Sequence, residues 1–366
     1  MTTMYHFNEN HNEKHLSVKE YLENNNVLRK CLFDKKNEID ATSKWDIAKK
    51  YANEFEFVFS FNYDCIANKV PISRSYFKLI EIIIDNSLFK DFTEPIHCAC
   101  LCEGPGGFIQ AIHDCCKKYH LDILSPINCI TLLSDNRKIP KWKLSEIPKH
   151  VYDICYGQDG TGNIYKMKNM EFFIKTCNEK KIFITADGGF DFSNDFNSQE
   201  ENFLHLLLCE IYIGINVQAL HGHFVIKCFD IFHESTIQII AFLRLFYKDI
   251  SIQKPKTSRP ANSEKYIICK YFMPLTQQNK VNIDYLRVKI LRLDYNLSDI
   301  VDNKLYLSTL YNVQELNKVF VSNQIFYINK TIEYSKKMVF DNKLQHIEKC
   351  KQWCKHYDVP IKPIYF

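Results

Sequence analysis

Two lysines and two carboxylates, Lys78, Asp187, Lys227 and Glu264, interrupt or border apolar runs in this chain. Lys78 lies in "SRSYFKLIEIII", Asp187 follows the run in "IFITADGGFDF", Lys227 breaks "GHFVIKCF", and Glu264 directly precedes "KYIICKYF". Buried charges are uncommon unless paired. Each residue singly is explained by a structural ion pair or a snorkelling lysine. Arranged around one crevice, the four suit deprotonation of a weakly acidic hydroxyl, such as a ribose 2'-OH attacking an electrophile. A lysine serves as base only when neutral, and a neighbouring ammonium with partial burial is expected to lower its pKa toward the working range. Lys227 is the expected base. Lys78 is expected to depress that pKa and steady the developing alkoxide, while Asp187 and Glu264 orient the two ammonium groups.

A second stretch bears on what the crevice binds. "CLCEGPGGFIQAIHD" is an apolar run that meets three glycines and a proline and resumes with helical spacing. With only 10 glycines and 11 prolines in 366 residues, such a cluster marks a constrained backbone rather than a linker. Gly104, Gly106 and Gly107 stand at a strand-to-helix turn, where an α/β sheet brings bare backbone to a ligand. The spacing is not the G-x-G-x-x-G of dinucleotide sites, and an acidic Glu103 precedes it, which fits an adenosyl ligand without a pyrophosphate better. Taken alone, the cluster also admits the lesser reading of a plain tight turn.

The elements that must position these residues follow from periodicity. Between about 70 and 275, the runs "HCACLCEG", "INCITLLSD", "KKIFITADGG", "GHFVIKCF" and "KYIICKYF" read as strands. "SRSYFKLIEIIIDN", "GGFIQAIHDCCKKY", "ENFLHLLLCEIYIGINVQAL" and "STIQIIAFLRLFY" read as helices. Alternation of this kind predicts an α/β fold, a mostly parallel sheet with helices on both faces. Residues 1–60 read as a helical N-terminal extension, 61–275 as the catalytic domain, and 276–366 as a mostly helical C-terminal extension.

Bulk composition bounds the rest. At 46% hydrophobic content the chain buries a sizeable core, and a net charge of +4 neither requires nor excludes a polyanionic partner. Fifteen cysteines spread along a large chain, with Cys98, Cys100 and Cys102 alternating in one apolar run, read as reduced buried thiols in an intracellular compartment. Whether that compartment is cytoplasm or nucleus stays open. The polar N-terminus reads as neither signal nor transit peptide, and no apolar stretch approaches the roughly 18 residues a membrane span needs. "CKQWCKH" offers Cys350, Cys354 and His356 but no second ligand pair, so no metal is expected. His221 and His223 flank a glycine and read as turn residues.

In order along the chain, Lys78, "CEGPGGF", "ADGGF", "GHFVIK" and "TSRPANSEKY" resemble the FtsJ-like ribose 2'-O-methyltransferases. "DGTGNI" and "KPKTSRPANSE" resemble the mRNA cap branch of that family, eukaryotic and viral, in particular. The resemblance implies a Rossmann-like fold with a seven-stranded sheet, S-adenosylmethionine as cofactor without a metal, and capped RNA methylated at the first or second transcribed nucleotide. It places the catalytic tetrad on Lys78, Asp187, Lys227 and Glu264, agreeing with the reading from the residues. It places cofactor contacts on Cys102, Glu103, Gly104, Pro105, Gly106, Gly107 and Phe108, on Asp135 for the cofactor ribose, and on Asn163 and Ile164, where related enzymes more often carry Asp-Ile. RNA-facing positions fall on Arg74, Asn202, Ser258, Arg259 and Asn262, joined by the basic Lys254 and Lys256. Lys49, Lys50 and Arg74 are candidates for gripping the cap guanosine, or part of a solvated charged helix. A monomer, with other capping or transcription proteins as possible partners, is the expected state. Methylation of an internal rRNA or tRNA site, and a non-catalytic RNA-binding subunit, are the competing expectations.

Overall fold

A computed structural model describes residues 3–7, 18–60, 65–93, 95–123, 125–136, 139–189, 197–337 and 342–365; Phe190 of the "ADGGF" stretch lies outside them. In chain order the elements are β1 (Thr3–His6), α1 (Val18–Asp40), α2 (Trp45–Ala52), α3 (Ser75–Asp85), β2 (Cys98–Leu101) and α4 (Gly107–Lys118). There follow β3 (Ile127–Ile130), β4 (Tyr152–Cys155), α5 (Met167–Thr176), β5 (Lys181–Ala186), α6 (Gln199–Val217) and β6 (Gln218–Cys228). The chain continues with α7 (Glu234–Leu243), β7 (Tyr247–Lys254), β8 (Lys265–Phe272), α8 (Gln277–Arg292), α9 (Asn303–Lys337) and α10 (Lys343–His356).

The strands form one sheet in the order β1-β7-β8-β6-β5-β2-β3-β4. Pairings among β6, β5, β2, β3 and β4 are parallel, and β8 and β7 add antiparallel. The sheet has eight strands where seven were expected. The added one, β1, comes from the N-terminal segment read as wholly helical and pairs antiparallel along β7, with Thr3 opposite Lys254 and His6 opposite Ser251. It covers backbone groups of β7 that would otherwise be an open edge. β4, α5 and β7 also escape the periodicity reading. β4 is only partly buried and β7 is rich in polar residues, so neither shows a continuous apolar run.

Alternation along the central strands sorts the core into two layers. Ala99 and Leu101 of β2 join a cluster with α5, α6, α7, α8 and α9, while Cys98 and Cys100 face the opposite side with α3, α4 and α10. Both terminal segments are part of these layers: Tyr21 and Phe320 belong to the first, Cys350 and Trp353 to the second. All fifteen cysteines are unbonded, and Cys350 and Cys354 are core residues of α10. His223 is not a turn residue: it is buried in β6, stacked on Phe92 at 5.2 Å, and burial pulls its pKa down to about 4.

The sheet order places the site. From β2 the chain steps outward to β3 and β4, then returns to the other side of β2 as β5 and moves outward again through β6. The carboxyl ends of β2 and β5 therefore form a topological switch point, where α/β sheets open a crevice.

Candidate functional site

The glycine turn leaves β2 at this switch point and enters α4, with Gly106 at φ 118°. What needs its backbone bare is the protein itself. A Cβ on Gly106 would lie 2.3 Å from Leu144 Cδ2, one on Gly107 2.2 Å from Ser73 Oγ, and one on Gly104 2.8 Å from the Pro140 carbonyl. Glu103 is buried at the strand end; its Oε1 accepts from the Phe108 amide at 2.7 Å, while Oε2 has no hydrogen-bond partner among the described residues. Burial, with Asp187 close by, pushes its pKa well above the carboxylate range. An unpaired buried carboxyl oxygen here fits a ligand that brings a hydrogen-bond donor or positive charge.

Beside it, β5 delivers Asp187, whose amide donates to Leu101 O at 3.2 Å and ties the two strand ends together. Lys227 comes from β6, the next parallel strand, near its carboxyl end. β8 runs antiparallel to β6 with Tyr266 opposite Lys227, so the residue entering β8, Glu264, arrives at the same edge. Lys78 reaches in from α3. Its Nζ lies 2.7 and 2.9 Å from the two Glu264 oxygens. Lys227 Nζ is 3.5 Å from Asp187 Oδ1 and 3.9 Å from Glu264 Oε2. Four residues spread over 187 positions thus make one connected charge cluster, Lys78–Glu264–Lys227–Asp187.

The electrostatics differ from the expectation in one respect. Burial does draw the Lys227 pKa down, but Asp187 and Glu264 outweigh it, and the net direction is up. A neighbouring ammonium does not control this lysine, because Glu264 stands between Lys227 and Lys78. Glu264 is itself held well below the carboxylate range: burial opposes its charge, and Lys78 and Lys227 overcome that.

Several supports were not read from the sequence. The Tyr266 hydroxyl donates to Asp187 Oδ1 at 2.9 Å. Glu210 of α6 accepts from the Gly188 amide at 3.2 Å beneath the Asp187 turn, its Oε2 has no partner among the described residues, and burial pushes its pKa up to about 8. Glu81, one turn after Lys78 on α3, accepts from the amides of Lys256 and Thr257, each at 2.7 Å, and anchors the loop that carries Glu264. The readable signal was an acid inside the apolar run "KLIEIII", the same interruption that singled out Lys78. Asp230 is buried between Lys36 of α1 at 2.6 Å and Lys265 at 3.2 Å, joining the N-terminal segment to the residue after Glu264.

The remaining expected positions divide. Cys102 through Phe108 surround the turn, and Gly162, next to Asn163, lies against the loop after β3: a Cβ on it would sit 1.8 Å from Thr131 O. Ile164 is buried, and Asn163 Oδ1 accepts from the Tyr165 amide at 2.9 Å, closing its own turn. Asp159 organises this loop, accepting from Thr161, Lys166 and Asn169. Asp135 points into solvent, 3.8 Å from Lys141, and is not drawn into the cluster.

Three of the RNA-facing expectations turn inward. Ser258 is buried, its hydroxyl donating to Glu264 Oε1 at 2.8 Å, where it supports the tetrad. Arg74 and Arg259 converge on buried Glu56, at 3.3 and 2.8 Å, because that carboxylate needs counter-charge. Asn202 is exposed at the start of α6, and Asn262 is exposed with its Oδ1 accepting from Lys254 at 2.7 Å. Lys49 pairs with Asp46 on α2, and Lys50 is exposed. Among the described residues no group of three His, Cys, Asp or Glu is placed to hold a metal ion, and no helix is long and apolar enough to cross a membrane.

Comparison with known proteins matches the same segment. The cap-specific mRNA (nucleoside-2'-O-)-methyltransferase 1 of Trypanosoma brucei brucei is 33% identical over 184 residues, 49% of this chain and 47% of the relative. Those of Xenopus laevis and Homo sapiens are 32% and 30% identical over 189 and 218 residues, 49% and 57% of this chain but 21% and 24% of the relatives. The chain thus spans between about a fifth and about half of the length of these relatives. The FtsJ-like methyltransferase family model covers residues 71–272, from just before α3 to the end of β8. With the tetrad, the glycine turn and the whole parallel sheet inside that span, the chain belongs to the FtsJ-like methyltransferase family.

Proposed function

We propose that this chain is an S-adenosylmethionine-dependent mRNA cap methyltransferase that modifies the ribose 2'-OH of the first or second transcribed nucleotide. The observation that carries the reading is Glu264 bridging Lys78 and Lys227, with Asp187 on the far side of Lys227, all at the switch point. The relatives' names supply the substrate class. Residues Cys102 to Phe108, with Asn163 and Ile164, are the ones that would hold S-adenosylmethionine, and unpaired Glu103 Oε2 suits its donor groups. When bound, the cofactor supplies a methyl on a sulfonium, an electrophile that leaves sulfur as a neutral thioether and needs no metal.

The chain's own part is to orient the ribose hydroxyl and take its proton. Lys227 Nζ accepts that proton as the O–C bond forms; Asp187, fixed by Tyr266, and Glu264, fixed by Lys78 and Ser258, hold the amine in place. Because the carboxylates raise the Lys227 pKa, only a small deprotonated fraction acts at neutral pH, and turnover is expected to climb as pH rises.

The test is transfer of labelled methyl to short RNAs bearing either an N7-methylguanosine cap or a 5'-triphosphate, with nuclease digestion to locate the label. Label on the 2'-O of the first or second nucleotide of the capped RNA alone supports the reading. Equal labelling of both, or labelling of structured rRNA or tRNA only, overturns the substrate. Lys227→Ala and Asp187→Ala are expected to abolish transfer while cofactor binding by calorimetry persists; turnover retained in Lys227→Ala overturns the base.

A further inference from the structure

The loop of residues 254–264 has two sides. One presents Glu264 to the tetrad, and Ser258, which donates to Glu264 and also lines the groove, stands between the two. The other, with Lys254, Lys256 and Asn262, lines a groove of about 870 Å³ closed by α9, α10 and the segment 53–55. That volume lies in the range of pockets that take a ligand of nucleotide size, about 300–1,000 Å³.

Its lining combines two chemistries. Phe55, Tyr327 and Tyr357 supply aromatic rings, and Lys254, Lys256, Lys265 and Lys349 supply positive charge against the single carboxylate of Glu54. Glu54 is already taken by Lys349 at 2.6 Å and Lys330 at 3.7 Å, and Lys265 by Asp230 at 3.2 Å. Lys254 and Lys256 have no carboxylate at ion-pair distance among the described residues; Lys256 Nζ instead lies 5.8 Å over the Tyr357 ring. Lys254 donates to Asn262 O and Oδ1, each at 2.7 Å, and to Glu264 O, and burial with the neighbouring Lys265 ammonium pulls its pKa down to about 7, so it shapes the groove's wall. Interleaved aromatic and basic side chains are the surface on which single-stranded nucleic acid stacks its bases and neutralises its phosphates.

We propose that this groove binds a nucleotide of the RNA substrate other than the one being methylated, a base stacking on its aromatic wall and a phosphate meeting Lys256. The inference rests on RNA being the substrate. It gives the C-terminal helices, which lie outside the family's matched segment, a share in substrate capture, and it connects occupancy to Glu264 through a single loop: Lys254 Nζ donates to Glu264 O at 2.9 Å. The nucleotide comes either from the capped 5' end or from the strand beyond the reacting ribose, and the experiment separates the two.

The full chain and its Tyr327→Ala, Lys256→Glu and Lys175→Glu variants are titrated by fluorescence anisotropy against two 3'-labelled ten-nucleotide RNAs. One carries an N7-methylguanosine cap, the other a 5'-hydroxyl. Tyr327→Ala, which leaves charge unchanged, is expected to weaken at least one RNA about fivefold or more, and Lys256→Glu likewise. Lys175→Glu, at an exposed position of α5, controls for net charge and stays within about twofold. S-adenosylmethionine affinity by calorimetry stays at the wild-type value in all three variants. Loss confined to the capped RNA puts the cap end in the groove; loss on both puts the downstream strand there. Binding of both RNAs by Tyr327→Ala and Lys256→Glu within about twofold of wild type overturns the proposal. A wild-type chain that binds neither RNA overturns the RNA reading itself, and the groove with it.

Discussion

Replacing Glu264 by Gln removes the negative charge that joins the two lysines while keeping the side chain's shape and its contact with Ser258. In the wild-type protein Lys227 is held above its ordinary pKa of 10.5. Its free-amine fraction at neutral pH is therefore small and grows about tenfold per pH unit, and kcat/KM for methyl transfer follows. Glu264 lies 3.9 Å from Lys227 Nζ; with an effective dielectric constant of about 20, that contact is worth about 4 kcal/mol, or about three pK units. Relaxation and solvent entry reduce this, so the alkaline limb is expected to move down by about one to two units. Freed from its carboxylate partner, Lys78 pushes in the same direction. The assay is initial-rate methyl transfer to capped RNA from about pH 6 to 10 at limiting RNA and saturating cofactor, with cofactor affinity measured separately. A limb unmoved within about 0.3 unit, in a variant that folds and binds cofactor, refutes Lys227 as the titrating base.

Two further predictions concern stability. Gly162 and Gly160 both have positive φ, 64° and 76°, but a Cβ on Gly162 meets Thr131 O at 1.8 Å and one on Gly160 meets nothing within 4 Å. Gly160→Ala is expected to cost about 1 kcal/mol and Gly162→Ala about 3 kcal/mol or more in urea unfolding, with weakened cofactor binding only in the second; equal losses contradict the close approach. Asp230→Asn leaves the ammonium groups of Lys36 and Lys265 in the core without a counter-charge, at a cost of about 3–5 kcal/mol at neutral pH. The Asp230 pKa is lowered in the folded protein, so its contribution is complete above the ordinary 3.8 and declines as pH falls toward the folded value. The gap in urea midpoint between wild type and variant should therefore narrow below about pH 4, and a constant gap refutes the assignment.

The parts of this protein that are local in the chain are legible in its amino-acid order. Alternating strand and helix periods announce the α/β sheet, and the apolar runs broken by Lys78, Asp187, Lys227 and Glu264 mark the residues that the fold brings together. Elements without a continuous apolar signature are not legible: β4 is only partly buried and β7 mixes polar residues into its run. The strand β1 has only four residues, and its place is set by its partner across the chain.

What the sequence alone determined is the chemical inventory: which charged groups are carried into the apolar core, and which backbone positions must be glycine. Tertiary structure decided how those charges act on one another. From the sequence, Lys78 was the neighbour expected to depress Lys227, and Ser258, Arg74 and Arg259 faced RNA. In the folded chain Glu264 stands between the lysines, Ser258 secures Glu264, and buried Glu56 claims both arginines. Periodicity reports whether a side chain is inside, because burial follows from its own element. The sign of a pKa shift depends on distances of a few ångströms between groups as far apart in the chain as Lys78 and Glu264, and only packing sets those.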